Sequence, residues 1–553
     1  MSELIGRCYN YSKRRPIYII LMVVVLFLSY GFYATHYTIH IDQLVTEYYN
    51  GNVMIGAGRW SAPIIHIFTN WMNFAPYWHT LLMAILLFAS AMVFGQVFMK
   101  ASEDKLPDYA VLIFSVIYIS YPIINAQLTF PILNIALAYL LSSIALWIIT
   151  SNEKLKIKNV IITLILLIVS VDLYESFAMV FLVGFFGVML IKNIFVQEKI
   201  LFKEFFKTAL KGVLFLLSAI VIDLIISKII CLICCGTTHF WYNSNTEILW
   251  SYGVLDAAIW LVRTLFAFYI IGAHSCFYIF LFDVTVILGT IVFIVLSIKR
   301  KSIFPILIFI CVAVSSLALA IVTGMAPAYS QSQALPAFVA MIIMLLFCML
   351  PNKKYLKSIF AVLLVIITLN QTKLINNYAV NNYERYEYET NLLRDVGKEL
   401  TYHHSVTTKP VAFVVDSNIL PSSLKETRNA IHPIVKKYQN AFEKVFDSVI
   451  PNVYFQKMGG WFGADIESTK GLADYLSKTP RAYYSFIERT NFKDNIVGDV
   501  YGAMNRLGYH LIDCSEDEYN IAKEMEIENI DNSLFCIKET VSLIIVRFFD
   551  VAY

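Results

Sequence analysis

The recurrence of apolar runs about 20 residues long constrains this chain more than any other feature. They fall near residues 16–34, 78–98, 109–126, 128–150, 158–172, 175–194, 209–231, 276–298, 303–324, 335–350 and 355–371. Each can cross the ~30 Å of hydrocarbon in a bilayer, where backbone polar groups find partners only within a helix or a closed barrel. The expectation is an α-helical polytopic membrane protein of about 11 transmembrane helices. Charged residues make up 15% of the 553, where a soluble domain carries about 25%. The basic residues are scattered in short clusters, which excludes a nucleic-acid-binding stripe. The first run follows Lys13-Arg14-Arg15 without a small-x-small cleavage site, so it reads as a retained signal anchor.

The segments between the runs set the orientation. Arg7, Lys13, Arg14 and Arg15, then Lys100 and Lys105, then Lys154, Lys156 and Lys158 fall in one alternate set, as do Lys192, Lys199, Lys203, Lys207 and Lys211, Lys299, Arg300 and Lys301, and Lys353, Lys354 and Lys357. The opposite set between spans holds only Arg59 and Arg263. The positive-inside rule then places the N-terminus in the cytoplasm and the loops 35–77 and 232–275 outside. An odd number of spans puts the C-terminus outside as well. Both long loops carry tryptophans, among them Trp60, Trp71, Trp241 and Trp250, which suit short helices lying at the outer interface.

Ionisable side chains in or beside spans are costly and mark functional sites. Asp42 and Glu47 follow the first span, Asp172 and Glu175 stand at the turn between the fifth and sixth, and Asp256 and Arg263 belong to the second long loop. Asp223 lies within the seventh span, with Lys228 five residues on, and Asp283 lies near the start of the eighth. All sit on the predicted outer half, which implies one polar cavity opening outward. For Asp223 and Lys228 an internal ion pair is the plainer reading. For Asp172 and Glu175, capping of a tight helix turn competes with a substrate role. His36, His40 and His66 are too loosely spaced to indicate a metal, and no cofactor is called for.

Beyond residue 371 the composition turns polar, with helix-like stretches at 383–400 and 424–446 and strand-like runs at 410–415 and 541–549. Residues 372–553 therefore read as a C-terminal extracytoplasmic α/β or α+β domain, and 1–371 as the transmembrane domain. No glycine-rich phosphate loop, HExxH or GxSxG occurs in this domain, so recognition fits it better than chemistry. Its two cysteines, Cys514 and Cys536, could pair on an oxidising side. The CxxC of Cys231 and Cys234 has no partner pair for zinc.

Four stretches carry a resemblance. THYTIHIDQLVTEYYNGNVMIGAGRWSAPII follows the first span, SVDLYESFAMVFLVG lies mid-chain, NNYERYEYETNLLRDVGKEL follows the last span, and RLGYHLIDCSEDEYNIAKEM belongs to the C-terminal region. Together they resemble the bacterial membrane glucosyltransferases of O-antigen modification, the serotype-converting enzymes. The resemblance implies a GT-C-type fold in the bacterial inner membrane, a polyprenyl-phosphate sugar as donor and a surface glycan as acceptor, with the donor made and flipped by separately encoded proteins. It also implies an essential carboxylate in the first outer loop, which maps onto Asp42. Where many members have a second acidic residue next, this chain has Gln43, leaving Glu47 as the second carboxylate. An arginine is expected in the loop before the tenth span, where this chain offers only Gln331 and Gln333. The phosphate would then fall to Arg59, Lys228 or Arg263.

The chemistry can be argued apart from the family. A sugar on a lipid phosphate already carries a good leaving group, so the protein must supply a base for the acceptor hydroxyl and cations for the departing phosphate. Asp42 is the candidate base; Arg59 and Arg263 match phosphate with paired donors. Trp60, Tyr48 and Tyr49 could stack on sugar faces. The alternative is an envelope polysaccharide polymerase or a flippase. A flippase needs charges through both leaflets, whereas these gather in one, and no internal repeat suggests a transporter.

Overall fold

The computed structural model describes residues 2–36, 38, 52–69, 76–127, 132–151, 156–196, 201–238, 254–255, 258, 261–262, 281–323, 331–403, 406–415, 498–527 and 533–549. In chain order, α1 (Ser2–Arg14) precedes α2 (Pro16–Thr35), and two short helices follow, α3 (Asn52–Gly56) and α4 (Ser61–Thr69). Then come α5 (Pro76–Ala101), α6 (Tyr109–Ile119), α7 (Ile132–Ser151), α8 (Ile157–Leu173), α9 (Phe177–Phe195) and α10 (Phe202–Cys235). After them stand α11 (Leu281–Arg300), α12 (Phe304–Ser316), α13 (Ala318–Thr323), α14 (Leu335–Cys348) and α15 (Lys354–His403). A helix thus occupies each of the predicted apolar stretches.

Seven of the described helices, α2, α5, α7, α9, α10, α11 and α15, are long and apolar enough to cross a bilayer. The chain is a mostly helical polytopic membrane protein. Helices α6, α12 and α14 are apolar but span 11, 13 and 14 residues, and α8 spans 17. Pro122, which cannot continue a helix, begins a 3-10 turn at Pro122–Gln127 just beyond α6.

The described residues form two compact units, the first drawing on 2–35 and on those within 55–376, and the second on 36, 38, 52–54, 377–403, 406–415, 498–527 and 533–549. In the first unit α9 is the core helix, buried along most of its length and packed against α5, α7, α12 and α14. Close approach depends on Gly184, where a Cβ would stand 2.6 Å from Leu146 Cδ2 and 3.2 Å from Phe94 Cε1. The last carbonyls of α9 accept from Arg300, at 2.7 Å for Asn193 and 2.8 Å for Ile194, which satisfies groups the helix itself cannot. The end of α1 is tied to the segment between α5 and α6 by ion pairs of Arg14 and the following Arg15 with Asp108, at 2.6 and 2.7 Å, and its start to the last turn of α5 by Glu3 with Lys100 at 2.7 Å.

Helix α15 is 50 residues long. The predicted span 355–371 and the predicted helix 383–400 are therefore one element: the change from apolar to polar residues at 371 alters what the helix faces without interrupting it. In its second half Arg385 donates to Glu389 at 2.7 Å and to Asn382 at 2.9 Å, all three buried.

The second unit holds a four-stranded sheet made of β1 (Pro410–Val415), β2 (Ile512–Asp513), β3 (Phe535–Glu539) and β4 (Ile544–Phe548), in the order β2-β1-β4-β3. β1 runs parallel to both β2 and β4, with Val411 opposite Ile544 and Val415 opposite Phe548, while β3 is antiparallel to β4. The two predicted strands are β1 and β4, side by side at the centre. Helix α16 (Gly498–Arg506) and helix α17 (Glu516–Glu524) accompany the sheet. α17 opens with a capping box: Ser515 Oγ accepts from the Glu518 N–H at 3.3 Å, and Glu518 accepts from the Ser515 N–H at 2.7 Å. The predicted helix 424–446 lies outside the described residues. Cys514 follows β2 at one edge and Cys536 lies on β3 at the other, and neither forms a disulfide. Three strand spacings of about 4.8 Å separate them, far beyond disulfide reach, so of the two outcomes the sequence left open the unpaired one holds.

Candidate functional site

Between α3 and α4 the chain turns at Gly58, whose φ of 80° lies in the left-handed region that a glycine adopts without strain. The Gly58 N–H returns to the Ile55 carbonyl at 2.9 Å, and the turn presents Arg59 and Trp60 just ahead of α4. The first N–H groups of a helix have no partner within it. Here the N–H groups of Trp60 and Ser61 donate to Asp172, at 3.0 Å to Oδ1 and 2.7 Å to Oδ2, and the Ser61 hydroxyl also donates to Oδ2. Asp172 belongs to the last turn of α8 and is only 2% exposed. A carboxylate there meets both the unpaired donors and the positive end of the α4 dipole.

Helix α10 supplies a second hold. The Trp60 indole Nε1 donates to Asp223 Oδ1 at 3.2 Å, and Ser227 Oγ donates to the Gly58 carbonyl at 3.1 Å. Asp223 and Ser227 are four residues apart and so lie on one face of the helix; both are buried. Arg59 is less confined. Its guanidinium lies over the Tyr174 ring, 4.8 Å from the centroid, and reaches Glu175 Oε2 at 3.5 Å. The Arg59 side chain is 14% exposed and that of Glu175 57%, so one end of the pair opens outward.

Of the residues singled out in the sequence, Arg59, Trp60, Asp172, Glu175 and Asp223 therefore come together, and Tyr174, Ser61 and Ser227 join them. Asp223 does not pair with Lys228. Five residues of helix turn the second side chain about 140° from the first, Lys228 is exposed, and no ion pair links the two among the described residues. The signal for the real partner was present: a buried carboxylate requires donors, and Trp60 carries one beside the open start of a helix.

Gln333 stands elsewhere. It is fully buried, its Oε1 accepts from Tyr139 at 2.7 Å, and its Nε2 donates to the Ile123 carbonyl at 3.2 Å, so from just ahead of α14 its side chain joins α7 to the 3-10 turn beyond α6. Gln331 is half-buried in the approach to α14. Asp42, Glu47, Tyr48 and Arg263 lie outside the described residues. Among the described residues no group of three His, Cys, Asp or Glu side chains is placed to hold a metal ion.

A family model described as glucosyl transferase GtrII matches residues 31–349, a stretch that takes in every contact of the Arg59–Ser61 turn and ends before α15. No curated protein and no solved structure matches the chain.

Proposed function

The chain belongs to the GtrII glucosyl transferase family and is a glycosyltransferase; we propose that it moves glucose from a polyprenyl-phosphate donor to a cell-surface glycan such as O-antigen, on the outer side of the bacterial inner membrane. The family match carries this reading, and the charge asymmetry of the loops supports the side. All eleven apolar helices cross in this reading, in a GT-C-like arrangement with residues 372–553 outside, where they recognise the acceptor glycan. The donor is made and turned outward by separate proteins.

In the reaction Asp42 takes the proton from an acceptor hydroxyl as its oxygen attacks the anomeric carbon, and the bond from that carbon to the phosphate oxygen breaks. Polyprenyl phosphate leaves with the electron pair, and a single displacement inverts the anomeric centre. The Arg59 guanidinium neutralises the departing phosphate, with Arg263 a second cation and Trp60 a flat apolar face for the sugar. What supports Arg59 here is its place above the Tyr174 ring, beside an exposed carboxylate rather than deep in the core.

The test is transfer by the purified full-length chain in lipid nanodiscs, supplied with a short-chain polyprenyl-phosphate glucose and surface glycan. Asp42→Asn should lose nearly all transfer, and Arg59→Ala should raise the donor KM. Equal transfer by wild type and Asp42→Asn would remove Asp42 as base, and no transfer from any lipid-linked sugar would remove the donor class.

A further inference from the structure

Two acidic side chains on two different spans hold the same turn, and both hold Trp60. Asp172 of α8 takes both backbone N–H groups at Trp60 and Ser61, while Asp223 of α10 takes the indole N–H of Trp60. Ser227, one turn beyond Asp223, holds the Gly58 carbonyl. Backbone and side chain of Trp60 are thus fixed from separate helices, and Arg59, between the two anchors, inherits its direction from both. Neither acid has room for a substrate at these contacts: Asp172 is 2% exposed and Asp223 7%.

We propose that Asp172 and Asp223 are positioning residues for the glucosyl donor, setting the Arg59 guanidinium and the Trp60 ring in one pose and thereby fixing donor affinity. The inference rests on the reading that Arg59 and Trp60 contact the donor. A carboxylate in a span is costly unless it has donors, and here the cost is met by a loop distant in sequence, so each acid gives the loop a fixed place and the loop gives each acid its hydrogen bonds.

The geometry separates the two acids experimentally. Asp223 uses a single oxygen toward Trp60, so an amide can still accept through its carbonyl and Asp223→Asn should bind donor within about twofold of wild type. Asp223→Leu cannot accept, and Trp60→Phe cannot donate. Each should weaken equilibrium binding of polyprenyl-phosphate glucose to the full-length chain in nanodiscs by about tenfold, the worth of one hydrogen bond to a charged group. The double variant should be no worse than the poorer single, because both remove the same bond. Equal weakening by Asp223→Asn and Asp223→Leu, or additive losses in the double variant, would overturn the proposal, as would wild-type affinity in Asp223→Leu. Arg59→Ala provides the independent control: unchanged donor affinity there refutes the contact reading itself, whatever the Asp223 series shows.

Discussion

Replacing Asp172 by asparagine changes one atom, and the structure says why that should be severe. Both carboxylate oxygens are in use, Oδ1 toward the Trp60 N–H at 3.0 Å and Oδ2 toward the Ser61 N–H at 2.7 Å and the Ser61 hydroxyl. An amide offers one acceptor oxygen and one NH2, so in either flip a donor faces a donor. At least one bond to a charged acceptor is lost, worth about 1.5–3 kcal/mol, and a buried backbone N–H is left without a partner. Because the two costs overlap, the total is about 2–4 kcal/mol. Ser61→Ala removes only the hydroxyl bond and should cost about 0.5–1.5 kcal/mol. Unfolding of a protein of this size is commonly irreversible, so the readout is an apparent midpoint: the solubilised chain is heated and the fraction remaining monodisperse is measured by size exclusion. The order expected is wild type, then Ser61→Ala, then Asp172→Asn. An Asp172→Asn chain that melts with wild type, or a Ser61→Ala chain that melts below it, would refute the argument that Asp172 accepts from both N–H groups.

Three further outcomes follow from particular contacts. Gln333→Leu should lower the apparent midpoint, through the loss of Tyr139 and Ile123 as partners, while the donor KM stays near wild type; a raised KM would return Gln333 to the substrate site. Gly184→Ala forces a methyl against Leu146 and Phe94 and should destabilise by roughly 1–3 kcal/mol, read in the same heating assay. On α1, burial pushes the Cys8 thiol up to about 11 although Arg7 draws it down. In a chain retaining only this cysteine, iodoacetamide labelling should still be climbing at pH 10, because the thiolate is the reactive form; a plateau near pH 9 would contradict it.

The sequence allowed the helices to be placed because a bilayer demands long apolar runs and little else resembles them. It also marked Asp172, Glu175 and Asp223 as costly groups with work to do, and the structure brings them to one turn. What local pattern could not supply was the partner. Nothing near residue 172 announces that the start of α4, more than a hundred residues earlier, needs an acceptor, and nothing near 223 distinguishes Trp60 from Lys228 except the phase of the helix. The unbroken α15 was hidden for another reason: the loss of apolar residues after 371 resembles the end of an element, although helical propensity runs on through Asn382, Arg385 and Glu389. In the second unit the β-branched runs of β1 and β4 stood out, whereas β2 is two residues long and has no pattern to read.

The order of strands in the sheet has a consequence for how this protein is made. β1 sits between β2 and β4, so a segment completed at residue 415 stays without either neighbour until residues 512–513 and 544–548 have emerged. At about 5–20 residues per second the wait for the last partner is roughly 7–27 s. Until residues 512–513 emerge Val411, Ala412, Phe413 and Val414 expose an apolar strand with two open edges, and the β4 side stays open to the end of the interval. A ribosome that stops between residues 514 and 543 leaves the β4 side of β1 open permanently. Such truncated chains should be cleared as misfolded protein even where all their membrane helices are intact, which makes β4 a checkpoint on the folding of this sheet.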